Sequence, residues 1–378
     1  MKFCFVIHPT SLKDVARYEP GAVGKGRPLI EKIMEWMPAY AAVHVTGVRT
    51  PDGRETEGWF VAAPFMPEPM LRLPRETVYE KILGAIEIGA SLGAEIAGLG
   101  AFTGVVGDAG ITIAERSPIA VTTGNSLTIA AGVESLLRGA HEMEIPLQSS
   151  TAVVIGATGS IGSACVELIA PHVEHVVLVA RNRTRLERYV ESLRERVSCG
   201  LSISTDVREA VPRGRVVLTA TTSTQELIEP DDLQTGAVVC ELSLPHDVGR
   251  RVALERPDVL VTEGGNMRVP GTPRFERVRE PGRDFDLGLP PQAALACMSE
   301  TMVLALENRR ENYTLGRGIA LERVLEIDRL AKRAGFTLAG MRAFDAAVTP
   351  AQVAAARAAA RERRTANGDR LVSSRAVP

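Results

Sequence analysis

A strand that runs straight into a glycine turn and then into a helix restricts this chain more than its composition does. The strand segment Ala152, Val153, Val154, Ile155 leads into Gly156, Ala157, Thr158, Gly159, Ser160, Ile161, Gly162, and helical sequence follows over residues 163–170. The first glycine permits the tight turn, the second lets a pyrophosphate approach the backbone, and the third lets helix and strand pack closely. The phosphates then meet unpaired N–H groups at the helix N-terminus. Around this turn, residues 151–157, 175–180, 215–220, 237–242 and 258–262 read as strands, most of them separated by helical stretches such as 184–197. Near-continuous Val, Ile and Leu in such strands predicts a parallel sheet covered on both faces, a doubly wound α/β Rossmann domain.

The second of these strands ends at Ala180 and continues Arg181, Asn182, Arg183. An NAD site places an acidic residue there for the ribose 2′-OH, whereas a 2′-phosphate calls for Arg. NADPH is therefore the expected cofactor. Its expected contacts are Gly156, Thr158, Gly159, Ser160, Ile161, Gly162, Arg181, Asn182 and Arg183.

The first 145 residues predict a second α/β domain. Residues 2–8 and 41–48 read as strands, 58–63 pairs with the latter across a turn at Pro51, Asp52 and Gly53, and helical periodicity covers 75–93 and 126–141. Between the helices lie the Gly- and Thr-rich segments 98–107 and 121–125, suited to close backbone approaches. After Pro290 and Pro291 a helix is expected over about 292–307, started by the prolines, and another over 320–333. Residues beyond 349 turn to Ala and Arg, predicting a solvated helix with a frayed end. The expected division is a substrate domain 1–145, an NADP-binding domain 146–270, a helical segment 271–340 and an extension 341–378.

Composition excludes several function classes. With 44 basic against 46 acidic residues and a net charge of -2, electrostatics gives no reason to expect nucleic acid or an anionic membrane as the main partner. No secretory leader or transmembrane run is visible, so the cytoplasm is the expected compartment. The five cysteines, Cys4, Cys165, Cys199, Cys240 and Cys297, form no CxxC and have no His at ligand spacing, so neither a disulfide framework nor a metal site is expected. Cys297 falls in the second turn of the helix expected after the double proline, with Ala293, Ala294 and Thr301 as small neighbours. A helix dipole fades after the first turn and Glu300 opposes it, so spacing alone leaves activation of the thiol undemonstrated.

Several segments in order resemble one family, the aldehyde-forming long-chain acyl-carrier-protein reductases of the alkane pathway. Ile7, His8, Thr10, Ser11 and Leu12 resemble its opening strand and turn. Leu99 to Thr103 is similar to its GGFTS segment, Thr122 to Asn125 to its TTGN, and Gly156 to Gly162 to its GATGDIG, with Ser160 where the family has Asp. Gly264 and Gly265, then Ala296, Cys297, Glu300 and Glu307, then Asn312, Tyr313, Gly316 and Arg317 match further motifs, out to about Phe336. The resemblance implies that Cys297 attacks a fatty acyl thioester on an acyl carrier protein or coenzyme A, and that NADPH reduces the acyl-enzyme to a fatty aldehyde. His8 and His44 are the candidate proton donors by their chemistry, His8 the better because it falls in the family's opening motif, and Phe102, Thr103, Thr123 and Asn125 are the expected substrate-side residues. Three segments depart from the family: Glu241 to Pro245 replaces a Gly-rich stretch, the loop Val269 to Gly288 is rich in Pro and Arg, and residues 345–378 extend past the usual end.

Two other readings share this plan. A shikimate dehydrogenase-like oxidoreductase would need a Lys and Asp pair, and none of the six lysines stands in the 121–125 segment. A non-catalytic NADP-binding regulator would leave Cys297 as a core residue or redox sensor. His44 reads as structural, and the Arg-rich tail is the one concentrated basic patch for an acidic carrier.

Overall fold

The computed structural model describes residues 1–223, 225–243, 246–344 and 346–374. Strand β1 (Lys2–Ile7) buries Phe3, Cys4, Phe5 and Val6 in succession, which only a strand covered on both faces can do. It is accordingly central in a six-stranded sheet, parallel to β3 (Glu55–Ala62) on one side and to β4 (Ala94–Leu99) on the other. Strand β2 (Tyr40–Arg49) runs antiparallel to β3 across the expected turn, and β5 (Ala120–Thr122) follows β4. The helix Arg75–Ser91 lays Val78, Ile82, Ala85 and Ile86 against Cys4, Val6 and Val61 to form the core on one face.

The doubly wound sheet is as expected. Strands β6 (Thr151–Ile155), β7 (His175–Val179), β8 (Gly200–Ser204), β9 (Val216–Thr219), β10 (Val238–Glu241) and β11 (Leu260–Glu263) are all parallel, in the order β11-β10-β9-β6-β7-β8. Chain order reverses at β6, between β7 and β9. That is the switch point at which such sheets take their ligand, beyond the carboxyl ends of the strands.

Residues after 265 depart from the consecutive division expected from sequence. The chain forms two units, one of residues 1–128 and 266–339, the other of residues 129–265 and 340–378. The return has identifiable causes. In the supposed Pro- and Arg-rich loop, β12 (Asn266–Arg268) is followed by β13 (Gly271–Arg277), which adds antiparallel to β2 as the edge of the first sheet. Pro273 is tolerated there because an edge strand needs only one row of hydrogen bonds. The Ala/Arg helix Pro350–Ser374 belongs to the second unit: Val353, Ala356 and Ala360 are buried, Arg361 pairs with Glu144, and Arg363 pairs with Asp258 at 3.1 Å. It is thus a packed helix, and three of the expected basic-patch arginines are spent internally, because Arg357 also donates to Glu142 O. Residues 375–378, on which the expected fraying would fall, lie outside the described residues, as do Leu244 and Pro245 of the departing segment. Among the described residues no helix is long and apolar enough to cross a membrane.

Candidate active site

The helix carrying Cys297 begins later than its sequence suggests. Gln292 has φ 60, and Ala293–Leu295 form β14, antiparallel to β12, so their backbone groups serve a ladder and not a helix. Only at Ala296 does the helix Ala296–Leu306 start, with Leu295 as N-cap. Cys297 is therefore in the first turn, where the dipole and the unpaired N–H groups favour an anion. Its thiol accepts from its own N–H and that of Met298, which lower its pKa. Burial is the larger effect and, with the nearby Glu300 carboxyl, pushes it up to about 12. Cys4, Cys165 and Cys240 are buried outright, whereas Cys297 keeps part of its surface exposed.

The Thr-Thr-Gly-Asn segment explains that placement. Gly124 has φ 74, and a Cβ on it would overlap Cα and Cβ of Cys297, so only glycine fits between the two chains. A clamp holds it there. Glu300, fully buried one turn beyond the cysteine, accepts from Thr122 Oγ1 at 2.5 Å, Thr314 Oγ1 at 2.9 Å and Leu127 N at 2.8 Å. Leu127 lies in the first turn of the helix Asn125–Glu142, so the Glu300 carboxyl caps that helix from outside it. Thr123 is also part of the clamp: its N–H and hydroxyl both donate to Thr314 O, at 2.9 and 3.1 Å. It is buried and committed, which corrects its expected place on the substrate side. Asn125, half-buried, opens the helix beside Gly124.

His8 and the 102–103 pair form a separate cluster. His8 Nε2 accepts from Phe102 N at 3.0 Å, which places the ring proton on Nδ1, facing Pro9 O at 3.1 Å. Burial holds its pKa down to about 4. A neutral imidazole with both nitrogens bonded to main chain has no proton to give near pH 7, so the structure gives His8 a structural role. Thr103 is buried and donates to Gly100 O at 2.7 Å, and Phe102 packs edge-on to His8 with ring centroids 6.2 Å apart.

In the second unit the glycine turn is shaped as a phosphate cradle. Gly156 has φ 83 and a Cβ there would overlap Ala220 O; one on Gly162 would overlap Gly156 O. Gly159 is the exposed N-cap of the helix Ser160–Ile169, leaving backbone N–H groups directed past a residue with no side chain; Thr158, Ser160 and Ile161 are half-buried around it. Past β7, Asn182 N-caps the helix Arg183–Leu193 by accepting from Arg185 N at 2.9 Å, and Arg183 pairs with Glu187 at 3.0 Å. Arg181 is exposed and has no side-chain partner among the described residues. The residues fit a dinucleotide, and a 2′-phosphate would fall to Arg181. Arg181→Ala should weaken NADPH binding about 10- to 100-fold, the worth of a charge-assisted contact, and leave NADH binding unchanged by titration. Equal weakening of both would remove the phosphate-reading role.

Sequence reasoning missed a polar cluster at the carboxyl ends of β9 and β10. Glu241, almost fully buried, accepts from the N–H groups of Asp247 and Val248 and from His246 Nδ1 at 2.8 Å. Buried Asp247 accepts from Thr219, from Ser243 Oγ at 2.5 Å and from Thr221 Oγ1 at 2.7 Å. The available signal was a strand ending in Glu followed closely by His-Asp, at the ligand edge of the sheet.

Residues 139–261 match the shikimate / quinate 5-dehydrogenase family. Aminotransferase PigE of a Serratia species is 32% identical over 349 residues, 89% of this chain but 39% of that protein, so the chain spans about two fifths of that relative's length. Long-chain acyl-[acyl-carrier-protein] reductase of Synechococcus elongatus is 25% identical over 301 residues, 76% of this chain and 84% of that one. Glutamyl-tRNA reductase of Corynebacterium glutamicum is 26% identical over 204 residues, 51% of this chain and 42% of that one. The chain is a distant homologue of these two reductases and carries a shikimate dehydrogenase-like NAD(P)-binding domain.

Proposed function

We propose that this protein is an NADPH-dependent reductase that converts a fatty acyl thioester to an aldehyde through an acyl-enzyme on Cys297. The observation that carries the reading is the position of Cys297 in the first turn of its helix, partly exposed and held against Gly124. In that position the N–H groups of Cys297 and Met298 hold a developing thiolate as it attacks the acyl carbonyl and releases the carrier thiol. The Glu300 clamp keeps Gly124 closed on the cysteine, which limits water at the thioester. Gly156 to Gly162 hold the pyrophosphate, and Arg181 reads the 2′-phosphate. Bound NADPH supplies the hydride.

The relatives' activities support this chemistry. Two relatives are named as reductases, one of a long-chain acyl group on acyl carrier protein and one of glutamyl-tRNA. Purified protein incubated with NADPH and a panel of acyl-CoA and acyl-carrier-protein thioesters is expected to release aldehyde, detected by gas chromatography. The preferred member identifies chain length and carrier. NADPH binding without aldehyde from any thioester would overturn the reading.

A further inference from the structure

The helix Arg27–Trp36 is apolar around more of its circumference than the protein covers. Ile30 and Met34 are buried and pack with Met66, Leu12 and Val15. Leu29, Ile33 and Trp36, spaced by four and three residues, share an adjoining face and stay 53%, 51% and 79% exposed; Val23, just before the helix, is exposed as well. The helix is nonetheless anchored. Lys81 Nζ donates to Met34 O at 2.7 Å, Glu35 O at 3.1 Å and Pro64 O at 3.2 Å, which holds carbonyls of its last turn in place. An anchored helix that leaves such a stripe in water marks an interaction surface.

We propose that this face docks on the surface of an anionic lipid bilayer, with the helix lying in the interface. Charge selects that occupant first. Glu31 and Glu35, only 20% and 18% exposed, are held by Arg27 at 2.7 Å and Arg72 at 3.1 Å. Lys25 and Lys32 stand exposed beside the stripe, with Lys32 Nζ 5.4 Å from the Trp36 ring centroid and 3.7 Å from Glu35. Apolar residues ending in an indole, with lysines at the rim, suit the boundary between acyl chains and headgroups. The net charge of -2 on the whole chain gives no attraction, so the two lysines supply it locally. Area argues against a second copy of the chain, because a stable interface buries about 800 Å² on each partner and these four side chains offer less. Position is the third argument. The helix lies between β1 and β2, and β2 begins at Tyr40 opposite Ala62, the last residue of β3, so both connections are made at the carboxyl edge of the first sheet. At the same edge β5 leads into Gly124, which meets Cys297. A bilayer there takes up a fatty aldehyde that water dissolves poorly; this third argument rests on the reading of the chain as a thioester reductase.

The test is flotation of the full chain with vesicles of phosphatidylcholine and phosphatidylglycerol at about 7:3, and with phosphatidylcholine alone. The wild-type protein is expected to float with the anionic vesicles and to show a blue shift of tryptophan emission that Trp36→Phe removes. Replacing Leu29, Ile33 and Trp36 together with Ser should lower vesicle affinity at least about tenfold with an unchanged melting midpoint, since none of the three is part of the core. Lys25→Gln with Lys32→Gln should lower affinity for the anionic vesicles about 10- to 30-fold and leave phosphatidylcholine binding as it was. A wild-type protein that does not float, or a triple Ser variant that floats as well as wild type, overturns the proposal. A concentration-dependent dimer, or a complex with an acyl carrier protein, that the triple variant loses while wild type ignores vesicles would give the face to that partner and overturn it equally. Flotation by a protein that forms no aldehyde from any thioester would overturn the reductase reading and leave the docking in place.

Discussion

Replacing Cys297 with Ser should abolish aldehyde formation, lowering kcat by about 10³-fold or more, and should remove the acyl-enzyme mass increment while leaving NADPH binding intact. The size follows from the role: a hydroxyl at this place is a far poorer nucleophile and the covalent intermediate cannot be bypassed. The thiol's own titration gives a second readout. Because burial pushes it up to about 12, the thiolate fraction rises tenfold per pH unit through the neutral range. Alkylation of Cys297 by iodoacetamide should therefore be slow at pH 7 and about 100-fold faster at pH 9, and acylation by substrate should protect it. Rapid labelling at pH 7 with no pH dependence would mean that the helix N-terminus outweighs burial. Full activity in the Ser variant would refute the covalent route even if aldehyde is the product.

What the sequence discloses here depends on how local each feature is. The glycine turn is legible because its requirements fall on seven consecutive residues, and the parallel sheet because its strands are apolar throughout. The hairpin of β2 and β3 is legible for the same reason, since the turn lies between its strands. The start of the cysteine helix is not. Two prolines suggest a beginning at 292, but Ala293–Leu295 are claimed by β12, a partner more than twenty residues earlier, and that pairing moves Cys297 from the second turn to the first. A different non-local pairing, with β2, turns an apparent loop into β13 on the edge of the first sheet. Helicity of the Ala- and Arg-rich tail follows from propensity, whereas the spending of its arginines on Glu144 and Asp258 depends on residues over 100 positions away. Thr123 and His8 mislead in a related way: their chemistry is suited to a site, and only the partners Thr314, Phe102 and Pro9 assign them to structure.

Glu300 is where the clamp can be broken most sharply. Glu300→Ala would leave the Thr122 and Thr314 hydroxyls and the Leu127 N–H buried without their acceptor and open a cavity behind Gly124. Unmet buried donors cost about 1–3 kcal/mol each, and the two hydroxyls can turn to other acceptors, so a net loss of about 3 kcal/mol is expected. For a unit of this size that lowers the melting midpoint by about 6–12 °C. Glu300→Gln should behave differently. Its amide oxygen can accept from Leu127 N while its NH₂ donates to the threonine hydroxyls, which reverse their roles. Burial raises the Glu300 pKa, the bonds from Thr122, Leu127 and Thr314 offsetting only part of that. A carboxyl whose pKa is higher in the folded state than in the unfolded state contributes stability that is full below the unfolded value and is lost as pH rises through the folded one. The Gln variant mimics the protonated form and has no such loss. Its stability relative to wild type should therefore increase as pH rises from about 4, the unfolded glutamate range, and level off above the folded pKa, as measured by denaturant unfolding across pH. A Gln variant that loses ground as pH rises would show that Glu300 is held as a carboxylate by its three donors.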